Sequence, residues 1–144
     1  MDPFAILQTG VGGGTWLAAG TNRDLTIHNR SGHAIFVALC SGGDSYSAGW
    51  AFIPDGGGRA VAIAATGSGE VCLFARTADG RWSFGGAEKF YVAQPWGDSV
   101  GQGSTFRIKN ARTQRPSLLA GAGELRVVGG VAITMTRDTY FQVT

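Results

Sequence analysis

One short motif in the sequence could do nucleophilic chemistry. Residues 97–101 read GDSVG, which fits the G-x-S-x-G pattern of a serine that attacks an acyl group from a sharp strand-to-helix turn. That turn needs a helix after the serine, with a carboxylate and a histidine further along the chain. Here a second glycine-rich stretch follows, and both histidines, His28 and His33, precede the serine. We therefore predict a glycine-rich loop rather than a hydrolase site.

Neither the histidines nor the acids form a pattern for metal binding or acid-base catalysis. His28 and His33 have no Cys, Asp or Glu at metal-ligand spacing beside them. The ten acidic residues are scattered singly, and neither lysine follows a glycine-rich phosphate loop. The sequence predicts a protein that is not an enzyme, uses no cofactor or metal, and acts by binding.

Aromatic residues near a predicted loop are the best candidates for a binding surface. Phe90 and Tyr91 lie on a predicted strand, and Trp96 follows between Pro95 and Gly97, where it is hard to place in a strand ladder. A loop tryptophan offers an apolar ring with one polar N–H, which suits a membrane interface or a stacked ligand. Three more aromatic residues lie near predicted loops. We expect Trp50 in the core and Tyr46 on the surface, and we add Tyr46 and Trp82 to the candidate site.

Four cations lie within nine residues, with no acid among them: Arg107, Lys109, Arg112 and Arg115. On a strand, Arg107 and Lys109 would share one face. Two interpretations stay open, a solvated sheet edge protected against aggregation and a site for phosphate headgroups. The whole chain carries 12 basic and 10 acidic residues, too small an excess for a general nucleic-acid binder.

The spacing of apolar residues predicts an all-β fold. Short β-branched and aromatic runs recur about every ten residues between Gly, Asp and Asn, which is typical of a β-sandwich or a β-barrel. We predict a single-domain antiparallel β-sandwich. At most one short helix fits, near Asn110–Leu119, because glycine interrupts most other stretches. The predicted strands are Leu25–His28, Ala34–Cys40, Trp50–Ile53, Ala60–Ala64, Val71–Arg76, Arg81–Phe84, Lys89–Val92, Thr105–Lys109, Leu125–Val128, Ala132–Arg137 and Tyr140–Val143.

Glycines mark the expected turns and the ends of the domain. The chain has 24 glycines in 144 residues, and Asp79-Gly80 and Gly129-Gly130 each predict a tight hairpin. Residues 29–32 (NRSG) predict a turn between the first two strands. We divide the chain into a glycine-rich N-terminal arm at 1–20 and a β-sandwich at 21–144. No apolar run approaches the length of a membrane-spanning helix.

Several segments resemble the aegerolysin family in order and spacing, over about Asp24 to Tyr140. The most specific is the Pro-Trp-Gly loop after an aromatic pair. The segments are LTIHN at 25–29, residues 34–39, IPD at 53–55, AIAA at 62–65, VCLF at 71–74, ADG at 78–80, FY at 90–91, QPWGDS at 94–99 and GVAITM at 130–135. Residues 39–49 lack the family's Trp-Gly-Lys segment, and Gln94 stands where the family has cysteine. The resemblance therefore implies no particular lipid.

The resemblance implies a small β-sandwich, similar to aegerolysins, that binds membrane lipids, especially sphingolipids. It also implies that the chain is the membrane-binding component of a bacterial cytolytic or insecticidal pair with a perforin-like (MACPF) partner. Such a protein would be made in the cytoplasm without a Sec signal, since Asp2 stands where a signal peptide has Lys or Arg, and would then reach a target membrane. The expected lipid-binding residues are Trp96, Tyr91, Phe90, Tyr46, Trp82, Arg107 and Lys109.

Two other functions and one chemical question stay open at this stage. A carbohydrate-binding lectin would use the same loop aromatics to stack on sugar rings. A self-assembling structural subunit, a homo-oligomer, would use the arm at 1–20 to pair with a neighbour's sheet edge. Cys40 and Cys72 permit one disulfide, although two cysteines in this length favour free buried thiols.

Overall fold

Eleven strands and no helix make up the described part of the chain. The computed structural model describes residues 22–41, 46–64, 70–135 and 139–144, so the arm expected at 1–20 lies outside it. No helix in these ranges is long and apolar enough to cross a membrane. The strands are β1 (Asn22–Asn29), β2 (Ile35–Ser41), β3 (Ser47–Ile53), β4 (Gly58–Ala64), β5 (Glu70–Arg76), β6 (Ser83–Phe84), β7 (Glu88–Gln94), β8 (Phe106–Lys109), β9 (Ser117–Gly121), β10 (Glu124–Thr134) and β11 (Thr139–Val143).

The strands form two sheets, which confirms the predicted β-sandwich class. The smaller sheet has the order β11-β1-β4, and the larger has the order β7-β10-β5-β2-β3-β8-β9 with β6 beside β5. Every described pair is antiparallel except β1 with β11. The NRSG turn at 29–32 links the two sheets rather than closing a hairpin, and Gly32 takes the left-handed conformation there with φ +83°.

One hydrophobic core fills the space between the sheets. Leu25 and Ile27 of β1 and Val143 of β11 face the larger sheet and are fully buried. Val37 and Leu39 of β2 are among the residues that meet them. Alternate residues of β1 and β11 point inward, because successive side chains of a strand lie on opposite faces.

A second core lies on the other face of the larger sheet, because that sheet curls over itself. The Ser47 hydroxyl donates to the Tyr91 carbonyl at 2.7 Å, and the Trp50 indole N–H donates to the Ala93 carbonyl at 3.0 Å, so β7 lies against β3. Phe90 and Phe106 fill this core with Trp50. Strand β2 is buried on both faces, which explains why it reads IFVALCS without polar alternation.

The predicted hairpin at Gly129-Gly130 is wrong. Strand β10 runs straight through both glycines and changes partner there, pairing with β7 as far as Gly130 and with β5 from Val131. A side chain at Gly129 would collide with the Gly86 carbonyl, and one at Gly130 would approach the Phe90 ring. These glycines therefore allow a close approach of backbones rather than a turn.

The stretch Asn110–Leu119, the one place where the sequence allows a short helix, is not helical. Asn110 ends β8 in a left-handed conformation with φ +58°, turns follow, and β9 then pairs with β8 as an edge strand. The Asp79-Gly80 turn is confirmed, since Gly80 has φ +75° and its N–H donates to the Thr77 carbonyl at 3.1 Å. Its loop is longer than the two residues predicted, because β6 begins at Ser83.

Candidate functional site

Trp96 lies at the tip of a tight turn that follows β7. The Asp98 N–H donates to the Pro95 carbonyl at 3.0 Å, and Gly97 occupies the third position with φ +89°, as a type II turn requires. The Trp96 side chain is 75% exposed, although tryptophan is normally well buried. The predicted loop tryptophan is therefore held out toward solvent by its own backbone.

A buried arginine anchors this turn to the rest of the sheet. Arg76, at the end of β5, is 4% exposed, and its guanidinium donates to the carbonyls of Thr77 (2.9 Å), Ala78 (2.9 Å) and Asp98 (2.6 Å). One nitrogen, Nη2, donates to both Ala78 and Asp98, so the loop after β5 and the Trp96 turn are held side by side. Burial lowers the pKa of Arg76, and the carboxylate of Asp98 opposes that shift.

A second set of contacts supports the turn from its flanks. The Val100 N–H donates to the Ala78 carbonyl at 2.9 Å, and the Val100 side chain enters the second core. Arg126 pairs with Asp98 at 3.3 Å and with Glu124 at 3.2 Å, with all three side chains about half exposed. Such exposed pairs contribute little to stability, so these side chains can rearrange. The charges beside Trp96 are of both signs.

The aromatic pair on β7 divides between core and surface. Phe90 is 1% exposed and packs in the second core, so it offers no surface to a ligand and belongs to the fold. Tyr91 is half-buried and lies opposite Val127 of β10, which is 50% exposed. Tyr91, Val127 and Lys89 help line a shallow depression of about 270 Å³.

The sequence also singled out Trp50, Tyr46 and Trp82, and the last two pack partly on the core between the sheets. Trp50 is 2% exposed, which confirms the expectation that it belongs to the core. Tyr46 was expected at the surface, but it is half-buried against the core between the sheets. Trp82 is half-buried against the same core, with its ring centroid 5.0 Å from that of His33. Trp82 belongs to the β5–β6 loop, which Arg76 ties to the Trp96 turn through the Ala78 carbonyl.

The cationic segment lies on β8 and in the turns after it. Arg107 and Lys109 alternate with the buried Phe106 and Ile108, so they share the outer face, as predicted. Phe106 begins β8 opposite the end of β9, at the same end of the curled sheet as the Trp96 turn. Lys109 lies three residues, or about 10 Å, further along the strand than Phe106. Arg107 is therefore the nearer of the two to the Trp96 end.

Arg112 has a structural role. It pairs with Glu88 at 2.7 Å and with Glu70 at 3.8 Å, and it donates to the Cys72 sulfur at 3.4 Å. Cys40 and Cys72 are free, buried and directly opposite each other on β2 and β5. Burial raises the pKa of both thiols, which keeps them protonated and unreactive at neutral pH.

The described ranges hold no group of three His, Cys, Asp or Glu side chains that could bind a metal ion. Ser99 of the GDSVG motif is exposed in the loop after the Trp96 turn, and a further turn and then β8 follow it rather than a helix. The strand-turn-helix frame of a nucleophile elbow is therefore missing at this serine.

Sequence reasoning missed Arg76, whose role depends on contacts 22 residues away, and the pairing of His33 with Trp82.

The chain has no match among protein-family models, curated proteins or solved structures.

Proposed function

We propose that this protein binds the surface of lipid membranes through the Trp96 turn. The observation that carries the proposal is an exposed tryptophan on a turn that a buried arginine holds in place. An indole ring with one polar N–H is well suited to the interface between headgroups and acyl chains. In this proposal, Trp96 enters that interface and the rest of the domain stays outside the bilayer.

The energy of one tryptophan sets the character of this binding. Removing the exposed part of the Trp96 ring from water contributes on the order of 3 kcal/mol. One such contact gives weak, reversible attachment, so a second contribution is needed for stable binding. Arg107 lies toward the same end of the sheet and would add roughly 1 kcal/mol against an anionic leaflet. Arg126 adds no such term, because it is paired with Asp98 and Glu124.

The fixed backbone of the turn also favours membrane binding by Trp96 over a role for this side chain in packing within the protein. A side chain that must first be ordered loses part of its binding energy to conformational entropy. Here the Pro95–Asp98 turn and the Arg76 hydrogen bonds order the backbone in advance. The binding energy of the ring is therefore available for the membrane.

The resemblance to aegerolysins extends the proposal to a biological setting. On that likeness, the protein is the membrane-binding component of a bacterial cytolytic or insecticidal pair and acts with a perforin-like partner. Of the aromatic residues at the Pro-Trp-Gly loop that carry the likeness, Trp96 is exposed and Tyr91 is half-buried. A perforin-like reading frame beside the gene would support this part of the proposal.

Vesicle sedimentation tests the proposal with a matched control. Trp96 and Tyr140 are both 75% exposed, but Tyr140 belongs to β11 in the smaller sheet. We expect binding to vesicles from a panel of sphingolipids, glycerophospholipids and sterols, loss of binding in Trp96→Ala and retention in Tyr140→Ala. Failure of the wild type to sediment with every composition, or equal binding by Trp96→Ala, would contradict it.

The edge strand β9 supports self-assembly as a second candidate. Among the described residues β9 pairs only with β8, and it exposes Leu118 (37%) and Leu119 (48%). An exposed apolar edge is a template for pairing with another chain. If assembly uses this edge, light scattering will show concentration-dependent oligomers that Leu119→Lys prevents. A monomer at every concentration would exclude this candidate.

A further inference from the structure

A second surface feature lies beside the Trp96 turn. Residues of the loop between β5 and β6 surround an open depression of about 550 Å³ together with His33 from the loop between β1 and β2. Thr77, Asp79 and Trp82 contribute from the β5–β6 loop. The depression combines the rings of His33 and Trp82 with the charges of Asp79 and Arg81, and such a mixture of apolar and polar groups suits a small-ligand site.

The aromatic part of this depression is fixed from both sides. Trp82 is half-buried, with part of its ring on the core and part lining the depression. Its backbone N–H donates to the Thr77 hydroxyl at 3.2 Å, and its carbonyl accepts from the Thr77 N–H at 3.0 Å. The His33 carbonyl accepts from the buried Asn29 amide at 2.6 Å. Both rings are therefore presented on ordered loops.

The carboxylate of Asp79 is oriented and has accepting capacity left. Its Oδ1 accepts from the Thr77 hydroxyl at 2.8 Å and from the Arg81 N–H at 3.0 Å. The Arg81 N–H and the Thr77 hydroxyl lower the pKa of Asp79, so it stays ionised. Its Oδ2 forms an exposed ion pair with Arg81 Nε at 3.7 Å, which is beyond hydrogen-bond range, so this oxygen can still accept from a ligand hydroxyl.

This chemistry selects one class of ligand. An ionised carboxylate accepts from hydroxyl groups and repels a phosphate or another carboxylate. An aromatic ring offers an apolar face to the C–H face of a sugar ring. A neutral hexose satisfies both requirements. Arg81 also lines the depression, but its charge is offset by Asp79, so the two side chains together carry no net charge to attract an anionic headgroup.

We propose that the depression between His33, Trp82 and Asp79 binds a neutral pyranose sugar, with its C–H face on Trp82 and its hydroxyls on Asp79. The sugar can come from a free glycan or from the headgroup of a glycolipid. The glycolipid source alone rests on the proposed membrane function. It is favoured by the Arg76 contacts, which hold the Asp79 loop beside the Trp96 turn.

Titration with methyl hexosides tests the site without a membrane. The probes are methyl β-D-galactoside, methyl β-D-glucoside and methyl α-D-mannoside, followed by indole N–H shifts in NMR spectra up to about 50 mM, well above a Kd of about 1 mM. We expect at least one sugar to shift the Trp82 signal. Asp79→Asn, which keeps the shape of the loop, should weaken binding about tenfold, or 1.4 kcal/mol. Asp55→Asn, in the exposed turn after β3, should leave it unchanged.

A vesicle arm separates the two sources. Phosphatidylcholine vesicles with galactosylceramide should bind more protein than vesicles without it if the sugar is a lipid headgroup, and Asp79→Asn should remove that difference. A shift with free sugar but no effect of galactosylceramide assigns a free glycan. No shift with any hexoside and no effect of galactosylceramide overturn the sugar site, even if Trp96-dependent vesicle binding persists. Loss of all vesicle binding with sugar binding intact overturns the membrane proposal alone.

Discussion

The guanidinium of Arg76 donates a 2.6 Å hydrogen bond to the backbone carbonyl of Asp98, 22 residues further along the chain. The same nitrogen donates to the Ala78 carbonyl, and the guanidinium carbon lies 6.0 Å from the centre of the Trp50 ring. One buried cation therefore joins the β5–β6 loop, the second core and the Trp96 turn. Both proposed binding surfaces depend on this arginine for their backbone geometry.

Replacing Arg76 should weaken the fold and the site together. Arg76→Met keeps most of the side-chain volume but removes three hydrogen bonds from a charged donor, and we expect a loss of roughly 3 kcal/mol in the free energy of unfolding. Urea unfolding measures it. The control is Arg81→Met, since that side chain is 90% exposed and should change stability by less than about 0.5 kcal/mol. Equal unfolding midpoints for both variants would refute the anchoring role.

The Trp96 turn should require glycine at position 97 but not at position 101. Gly97 has φ +89°, and a Cβ there would meet no atom within 4 Å, so the cost of Gly97→Ala is backbone strain alone. We expect about 1 kcal/mol of destabilisation. Gly101 has equal open space around it and no positive φ, so Gly101→Ala should be neutral. The idea fails if thermal unfolding ranks the two variants equally.

A close approach between backbones makes Gly129 sensitive for a different reason. A Cβ at Gly129 would collide with the Gly86 carbonyl, which no rotamer change can relieve. We expect Gly129→Ala to cost about 2 kcal/mol or more, since overpacking forces the backbone to move. Chemical denaturation should show this loss, and wild-type stability in the variant would mean that the segment before β7 can shift freely.

The buried thiols should give the protein a pH dependence in the alkaline range. Burial raises the pKa of Cys40 and Cys72 in the folded state above the ordinary value of 9.0, so the unfolded chain loses these protons first as pH rises. The thiols therefore stabilise the folded state fully at pH values below that ordinary pKa, and their contribution falls as the pH rises above it.

We expect native protein to resist a thiol-specific disulfide reagent that reacts with both cysteines in denaturant. The double variant Cys40→Ala/Cys72→Ala should show less alkaline destabilisation, and rapid native labelling would show that the thiols are accessible.

Local sequence signals predicted the strands because apolar runs and turn residues act over short distances. The runs at β2, β5 and β7 and the exposed loop tryptophan could all be identified this way. The Gly129-Gly130 pair could not, because a close approach to Gly86 and a turn both call for glycine. Strand β9 was missed because its sequence, SLLAG, has no alternation and its burial is set by its edge position.

Like the strands, the candidate site could be predicted only where residues close in sequence mark it. Trp96 stood out because Pro95 and Gly97 enclose it, whereas Phe90 was misplaced because sequence alone does not say that the sheet curls over it. The roles of Arg76 and His33 depend on residues distant in sequence, and no local pattern marks them.

Depth-dependent quenching of Trp96 fluorescence tests membrane entry most directly. The chain has four tryptophans, and comparison of the wild type with Trp96→Phe isolates the signal of this ring. Vesicles whose acyl chains carry bromine near the headgroup should quench the wild type more than vesicles brominated near the bilayer centre, and Trp96→Phe should lose most of that quenching. Equal quenching of wild type and Trp96→Phe, or none with bound protein, would contradict entry of Trp96 into the interface.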